Sequence, residues 1–219
     1  MIPWRTLLLV LLLAACGEGS VATKYTPTNQ IAPSGQILRL NFDDAAPGTT
    51  PDGAVVYSGA WAVRAEADAP SPPNALCQTG TATFPALRLG DTVYRDVTLT
   101  ARFKSVSGKD DRAAGLIFRV QDKDNYYILR ANALENNVNF YKYAGGKRSD
   151  LKGGTATITT GQWQELRVEV SGNRFRGFLN GQIVVEATDD TYSAGQVGLW
   201  TKADSVTCFD DLTIETTVP

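Results

Sequence analysis

The sequence predicts an all-β domain made of two packed antiparallel sheets, and three observations carry that expectation. From Ile37 onward, apolar and polar residues alternate with a period of two in run after run, the pattern of half-buried strands. Clusters of Gly, Asn, Asp and Ser separate these runs at roughly the 8 to 12 residue spacing of a sandwich or barrel. No window offers an amphipathic helix.

The chain opens with an address. Arg5 is followed by an unbroken apolar run of nine residues from Leu7 to Ala15 and then by Cys16. That run is well short of the about 20 residues a helix needs to span a bilayer, and it has the charged and apolar regions of a secretory signal. Leu13-Ala14-Ala15-Cys16 resembles the lipobox of bacterial lipoproteins, in which the cysteine is acylated and the chain is cut just before it. This implies a signal peptide over 1–15, a lipid on Cys16 and contact with a membrane through that lipid only. Gly17, rather than Asp, follows the cysteine, which in two-membrane bacteria goes with the outer membrane. An ordinary cleaved signal with a coincidental cysteine is the alternative. The segment 16–36 is rich in Gly, Ser, Thr and Pro and reads as a flexible tether, leaving 37–219 as the folded domain.

The strands follow in order. Leu38, Leu40 and Phe42 alternate with Arg39, Asn41 and Asp43, and the same pattern returns in Val97-Leu99-Ala101-Phe103 and Leu116-Phe118-Val120. Leu166-Val168-Val170 and Phe175-Gly177-Leu179 repeat it later. Asn180-Gly181, between FRGFL and QIVVEA, is the strongest hairpin signal, because a two-residue type I′ turn needs positive φ at both positions. LNFDD at 40–44 is echoed by CFDDLTI at 208–214, so strands from the two chain ends are expected to pair.

Composition excludes several functions. The chain has 21 basic and 23 acidic residues, a net charge of −2 and no histidine. A pI of 5.2 gives no basic footprint for nucleic acid. Without histidine there is no Ser-His-Asp triad, Cys-His pair or imidazole metal site.

The stretch from Ala113 to Ile214 contains NYY, GQW, LNGQ, GQVGLWTKAD and FDDL in that order, and it is similar to the 3-keto-disaccharide hydrolase domain family. The resemblance implies a concanavalin A-like, laminin G-like jelly roll with one concave face. It also implies a sugar-related role, either glycan binding or cleavage of glycosides oxidised at the sugar 3-position. A structural lipoprotein of the envelope is a further alternative.

Alternation places Arg119 beside Ile117, Arg130 beside Ile128, Tyr141 beside Tyr143, and Trp200 in line with Lys202. If their strands share a sheet, these five residues line one surface suited to a glycan, with rings for sugar C–H faces and cations for hydroxyls. Alternatively, the arginines pair with carboxylates while Trp200 and Tyr141 complete the core. A paired-acid ExDxxE motif is absent; Glu186 is a single acid, and Glu165 and Glu169, on one strand face with Arg167, read as a solvated charge ladder. Glu135 is the candidate catalytic acid. No cofactor is expected; calcium could be held by Asp43, Asp44, Asp210 and Asp211 if the end strands pair, although adjacent aspartates also flank turns. With Cys16 assigned to lipid, Cys77 and Cys208 are expected to form a disulfide in an oxidising compartment, with two buried free thiols as the alternative.

Overall fold

The computed structural model describes residues 31–216, so the expected signal segment and Cys16 lie outside the described residues. The chain first forms β1 (Ile37–Leu40), β2 (Ala54–Ser58), β3 (Trp61–Ala65), β4 (Asn74–Gln78) and β5 (Ala86–Tyr94). It continues through β6 (Val97–Ser107), β7 (Ala113–Asp122), β8 (Asn125–Asn132), β9 (Asn137–Ala144) and β10 (Lys147–Thr155). It ends with β11 (Trp163–Ser171), β12 (Arg174–Leu179), β13 (Gln182–Thr188), β14 (Gly195–Trp200) and β15 (Val206–Thr216).

Two sheets result, as the alternation predicts. The first runs β13-β12-β11-β6-β15-β4-β3, with β1 also paired to β15, and the second runs β10-β9-β8-β7-β14-β5-β2. Their inner faces supply the core. Val97, Leu99, Ala101 and Phe103 of β6 and Leu166, Val168 and Val170 of β11 meet Leu116 and Phe118 of β7 and Leu129 of β8. Phe118 lies 5.0 Å from Phe175 and 5.4 Å from Tyr127, centroid to centroid. Burying each such side chain fully contributes about 1.5–3 kcal/mol before its entropy cost.

The turn chemistry is also as expected. Asn180 and Gly181 have φ of 49° and 77° and join β12 to β13. Glu169 meets Arg167 and Arg176, and Glu186 meets Arg174, in a half-exposed ladder on the outside of the first sheet.

The chain ends close the first sheet. Leu38 stands opposite Ile214 and Leu40 opposite Leu212, the pairing that the LNFDD and CFDDLTI echo implies. The docked chain begins ahead of residue 37, however. Ala32 N–H donates to Val93 O at 2.8 Å, Gly35 N–H to Thr216 O at 3.0 Å, and the Thr216 hydroxyl to Pro33 O at 2.7 Å. Residues 31–36 are therefore part of the folded body rather than tether, because Thr216 offers them hydrogen-bond partners that composition alone does not reveal.

Cys77 of β4 and Cys208 of β15 are direct cross-strand neighbours, their Cα atoms 4.0 Å apart, and they are bonded to one another. The bridge spans 131 residues of sequence and is buried with Ala69 and Ala75 against Trp163. Closing a loop of that length restricts the unfolded chain, with measured effects of about 2–4 kcal/mol. The expected outcome is no reactive thiol at Cys77 or Cys208 in the denatured, unreduced domain, and a loss of about 2–4 kcal/mol in a Cys77→Ala/Cys208→Ala variant. Two titratable thiols from these positions would refute the bridge.

Candidate functional site

The central strands β7, β8 and β14 of the second sheet are apolar on both faces, so large side chains pack against one another on its outer face as well as in the core. Ile117 of β7, Tyr126 and Ile128 of β8, Tyr141 of β9 and Trp200 of β14 form an outward-facing buried cluster. Arg130 belongs to the same surface: its neighbours across the strands are Gly115 and Asn139. Trp200 is 0%, Arg130 1% and Tyr141 4% exposed. Gly115 gives Trp200 its room, since a Cβ there would lie 3.1 Å from the indole.

A half-exposed rim stands over this floor. Phe84, in the segment before β5, stacks on Trp200 at 5.5 Å with an interplanar angle of 26° and meets the edge of Tyr143 at 5.6 Å. The segment is held there by Thr201 N–H, which donates to Pro85 O at 2.8 Å. Arg148, opposite Tyr143 in the β9–β10 ladder, lays its guanidinium 4.4 Å from the Tyr141 ring centre and 5.2 Å from that of Phe84. Among the described residues Arg148 has no carboxylate partner within ion-pair distance. Its positive charge rests on ring faces, an arrangement worth about 0.5–2 kcal/mol per contact.

The polar end of the site is closed by pairs. Arg130 donates to Glu135 at 2.8 Å and to Asn137 Oδ1 at 2.5 Å, and Asn137 Nδ2 donates to Glu135 at 3.0 Å. Lys202 pairs with Asp111, whose other oxygen accepts from Asn132 at 2.6 Å. Burial pushes the Glu135 carboxyl up, but its bonds to Asn137 and Arg130 outweigh that effect and hold it below the usual carboxylate range. Glu135 is thus an ionised acceptor at neutral pH.

Of the residues expected here, Arg130, Tyr141, Trp200, Lys202 and Glu135 come together, but Arg119 does not. It has φ of 49°, and the β7–β8 register slips between Phe118 and Asp122. This bulge turns Val120 outward to join Ile117, and the Arg119 guanidinium goes to the end of the sandwich instead. There it lies 5.4 Å from the Phe175 ring centre and donates to the carbonyls of Tyr192, Gly172 and Arg95. Gly195 of β14 packs against the bulge; a Cβ at that position would fall 2.4 Å from the Arg119 carbonyl carbon. Arg119 thus pins three loops at that end, away from the surface on which alternation had placed it.

Phe84 and Arg148 were not among the residues expected from sequence. Phe84 sits in a non-strand segment with no period to orient it. Arg148 follows the Gly145-Gly146 turn in a strand whose sequence, KRSDLKGGT, has no apolar alternation to orient it.

Residues 33–215 match the family described as the 3-keto-alpha-glucoside-1,2-lyase-like domain. The chain belongs to that family. A levanase of Bacillus subtilis (strain 168) is 31% identical over 124 residues, which are 55% of this chain and 18% of the levanase. The chain thus spans under a fifth of that relative's length. Among solved structures, the carbohydrate binding module CBM66 from Bacillus subtilis superposes with a TM-score of 0.65 at 23% identity, covering 75% of this chain and 96% of that one. A Bacillus subtilis protein of unknown function with a galectin-like fold gives 0.55 at 12% identity, covering 74% and 89%. These likenesses, with the two-sheet topology, show a jelly-roll sandwich.

In this member of the 3-keto-alpha-glucoside-1,2-lyase-like family, pairing of the end strands also gathers acids. Asp43 accepts from Asn74 N–H at 3.1 Å, Asp210 from Ser71 N–H at 2.8 Å, and Asp211 from the Ser71 hydroxyl at 2.5 Å. The aspartates thus bind the 71–74 turn. Among the described residues, three potential metal-ligand atoms come together at Glu66, Cys77 and Cys208, where the two sulfurs are bonded to each other. Asp210 is fully buried and, among the described residues, its Oδ1 has no hydrogen-bond partner. Burial, with Asp211 and Asp43 nearby, raises its pKa to about 6.

A carboxyl raised in the fold retains its proton while the unfolded chain loses one, so stability falls as pH rises from about 4 to about 6 and then levels. Asp210→Asn is expected to abolish this contribution. The variant should gain on the parent over that window, by at most about 3 kcal/mol, when unfolding is followed by denaturant at pH 4, 5, 6 and 8. A difference that stays flat across the window refutes the assignment.

Proposed function

We propose that the outer face of the second sheet recognises carbohydrate. The observation that carries this reading is the Phe84–Arg148 rim: a half-exposed ring and a guanidinium with no acidic partner among the described residues, both fixed on a packed aromatic floor. A sugar presents C–H faces to rings and hydroxyls to donors and acceptors, and preorganised groups of both kinds lower the cost of binding it. Lys202, Glu135 and Asn139 supply the polar contacts around the rim. The levanase relative makes levan the first glycan to test, alongside β-glucans.

Recognition fits this arrangement better than turnover. A general acid or base works best with a pKa near the operating pH, whereas the bonds to Asn137 and Arg130 hold Glu135 in its ionised form. Calorimetric titration with levan and β-glucan oligosaccharides should detect binding, weakened at least tenfold, or about 1.4 kcal/mol, by Phe84→Ala or Arg148→Ala. Binding by neither panel, with no sugar released from 3-keto glycosides, would leave an envelope-structural role. Release of sugar that is lost in Glu135→Gln would instead favour the enzyme.

We further propose that the domain is exported and held at the bacterial outer membrane by lipid on Cys16. Support comes from the short leucine run, Leu13-Ala14-Ala15-Cys16 and Gly17. Full-length protein expressed in a two-membrane bacterium should fractionate with the outer membrane and carry lipid mass, and Cys16→Ser should lose both. Retention of the Cys16→Ser protein in the membrane fraction would overturn the anchor.

A further inference from the structure

The outer face of the second sheet does not end at the Phe84–Arg148 rim. On the side of β7, β14, β5 and β2 it opens into a second cleft of about 390 Å³, bounded by Tyr57, Arg88, Asp91, Gln121, Lys123 and Gln196. Strand register places Arg88 on this face: it stands opposite Gly198, which on its other side stands opposite the outward Ile117. Tyr57 reaches the face because the β2–β5 register slips between Val56 and Ser58, and its ring joins the outward aromatic cluster.

The two places are joined by rings. Phe84 is 5.6 Å from Tyr143, Tyr143 is 4.9 Å from Tyr126, and Tyr57 packs against the same outward cluster as Tyr126. The polar groups at the two ends also differ. At the rim Arg148 has no acidic partner among the described residues, whereas in the cleft Arg88 is paired with Asp91, and Lys123 donates to Asp124 at 2.5 Å. Asp122 also lines the cleft. Gln121 Nε2 is taken by the carbonyls of Arg119 and Ala194, so the half-buried Tyr57, the Gln196 amide, Gln121 Oε1 and the Asp122 carboxylate are the partners for hydroxyls, and Asp122 disfavours an anionic sugar.

Resting on the carbohydrate reading above, we propose that this cleft is a second sugar subsite, and that the domain takes a neutral oligosaccharide lengthwise along the face. A site for a single terminal sugar would gather its polar groups in one enclosure. Here the two arginines stand apart on an open surface, Arg148 on β10 and Arg88 on β5, with β9, β8, β7 and β14 and their rings between. Neighbouring strands are about 4.8 Å apart, so a ligand that touches both Arg148 on β10 and Arg88 on β5 crosses several strand spacings.

The test is a length series. Mono- to hexasaccharides of levan and of β-glucan are titrated into the folded domain, with amide shifts followed by NMR. Affinity is expected to rise at least tenfold from disaccharide to hexasaccharide of the bound type. Amides at 88, 91 and 121–123 should shift with the hexasaccharide and not with the disaccharide. Tyr57→Ala and Arg88→Gln should bring the hexasaccharide-to-disaccharide affinity ratio toward one. Equal affinity across the series, with shifts confined to the rim, overturns the second subsite and leaves carbohydrate recognition standing. Absence of binding at every length overturns both. The shift map of the unaltered domain keeps the test valid if either variant fails to fold.

Discussion

The last strand among the described residues, β15, lies in the interior of the first sheet, with β6 on one side and β4 and β1 on the other. The sheet cannot be completed until the C-terminal residues are in place. Everything on that side depends on this insertion: Phe209, Leu212 and Ile214 enter the core from β15, Cys208 bonds Cys77, and Thr216 fastens the entering segment. Contacts this distant in sequence exact a high closure entropy before they return any stability. The buried disulfide between β4 and β15 reduces that disadvantage by restricting the unfolded chain.

The second sheet faces a different constraint. Its outer side carries Tyr126, Tyr141 and Trp200, which are as buried as the core proper. This layer rigidifies the sheet and presents only its rim to solvent. Polar groups on the floor are mostly spent internally, Arg130 on Glu135 and Asn137, and Asp111 on Lys202 and Asn132. A ligand would therefore meet Phe84, Arg148 and the outer edges of these pairs, in positions fixed before it arrives. Such preorganisation limits the ordering cost of binding.

Two bulges shape the sandwich around these layers. Arg119 in β7 and Asp211 in β15 each adopt positive φ, and each breaks the period of two. In β15 the result is that Phe209 and Leu212, three residues apart, both face the core, while Asp210 and Asp211 bind the 71–74 turn. In β7 it sends an arginine to the end of the sandwich and a valine to the outer face. Bulges re-aim side chains in this way by inserting one residue into the ladder.

The sequence by itself determined what depends on near neighbours in the chain. Period-two alternation in β6, β8, β9 and β11, the Asn180-Gly181 turn and the cysteine count led to strands, hairpin and bridge, and the ordered motifs from Ala113 to Ile214 led to the family. It also grouped Arg130, Tyr141 and Trp200, because no bulge interrupts their strands between the residues that set the face. Tertiary structure decided where alternation fails and which groups remain accessible. Arg119 left the site because close packing against Gly195 accompanies a slipped register that local pattern does not encode. Phe84 entered it because a hydrogen bond from the distant Thr201 holds its segment over Trp200. Burial of Trp200 and exposure of Phe84 are likewise properties of stacked layers: period fixes which side of a strand a residue takes, and only the neighbouring layer fixes whether water reaches it.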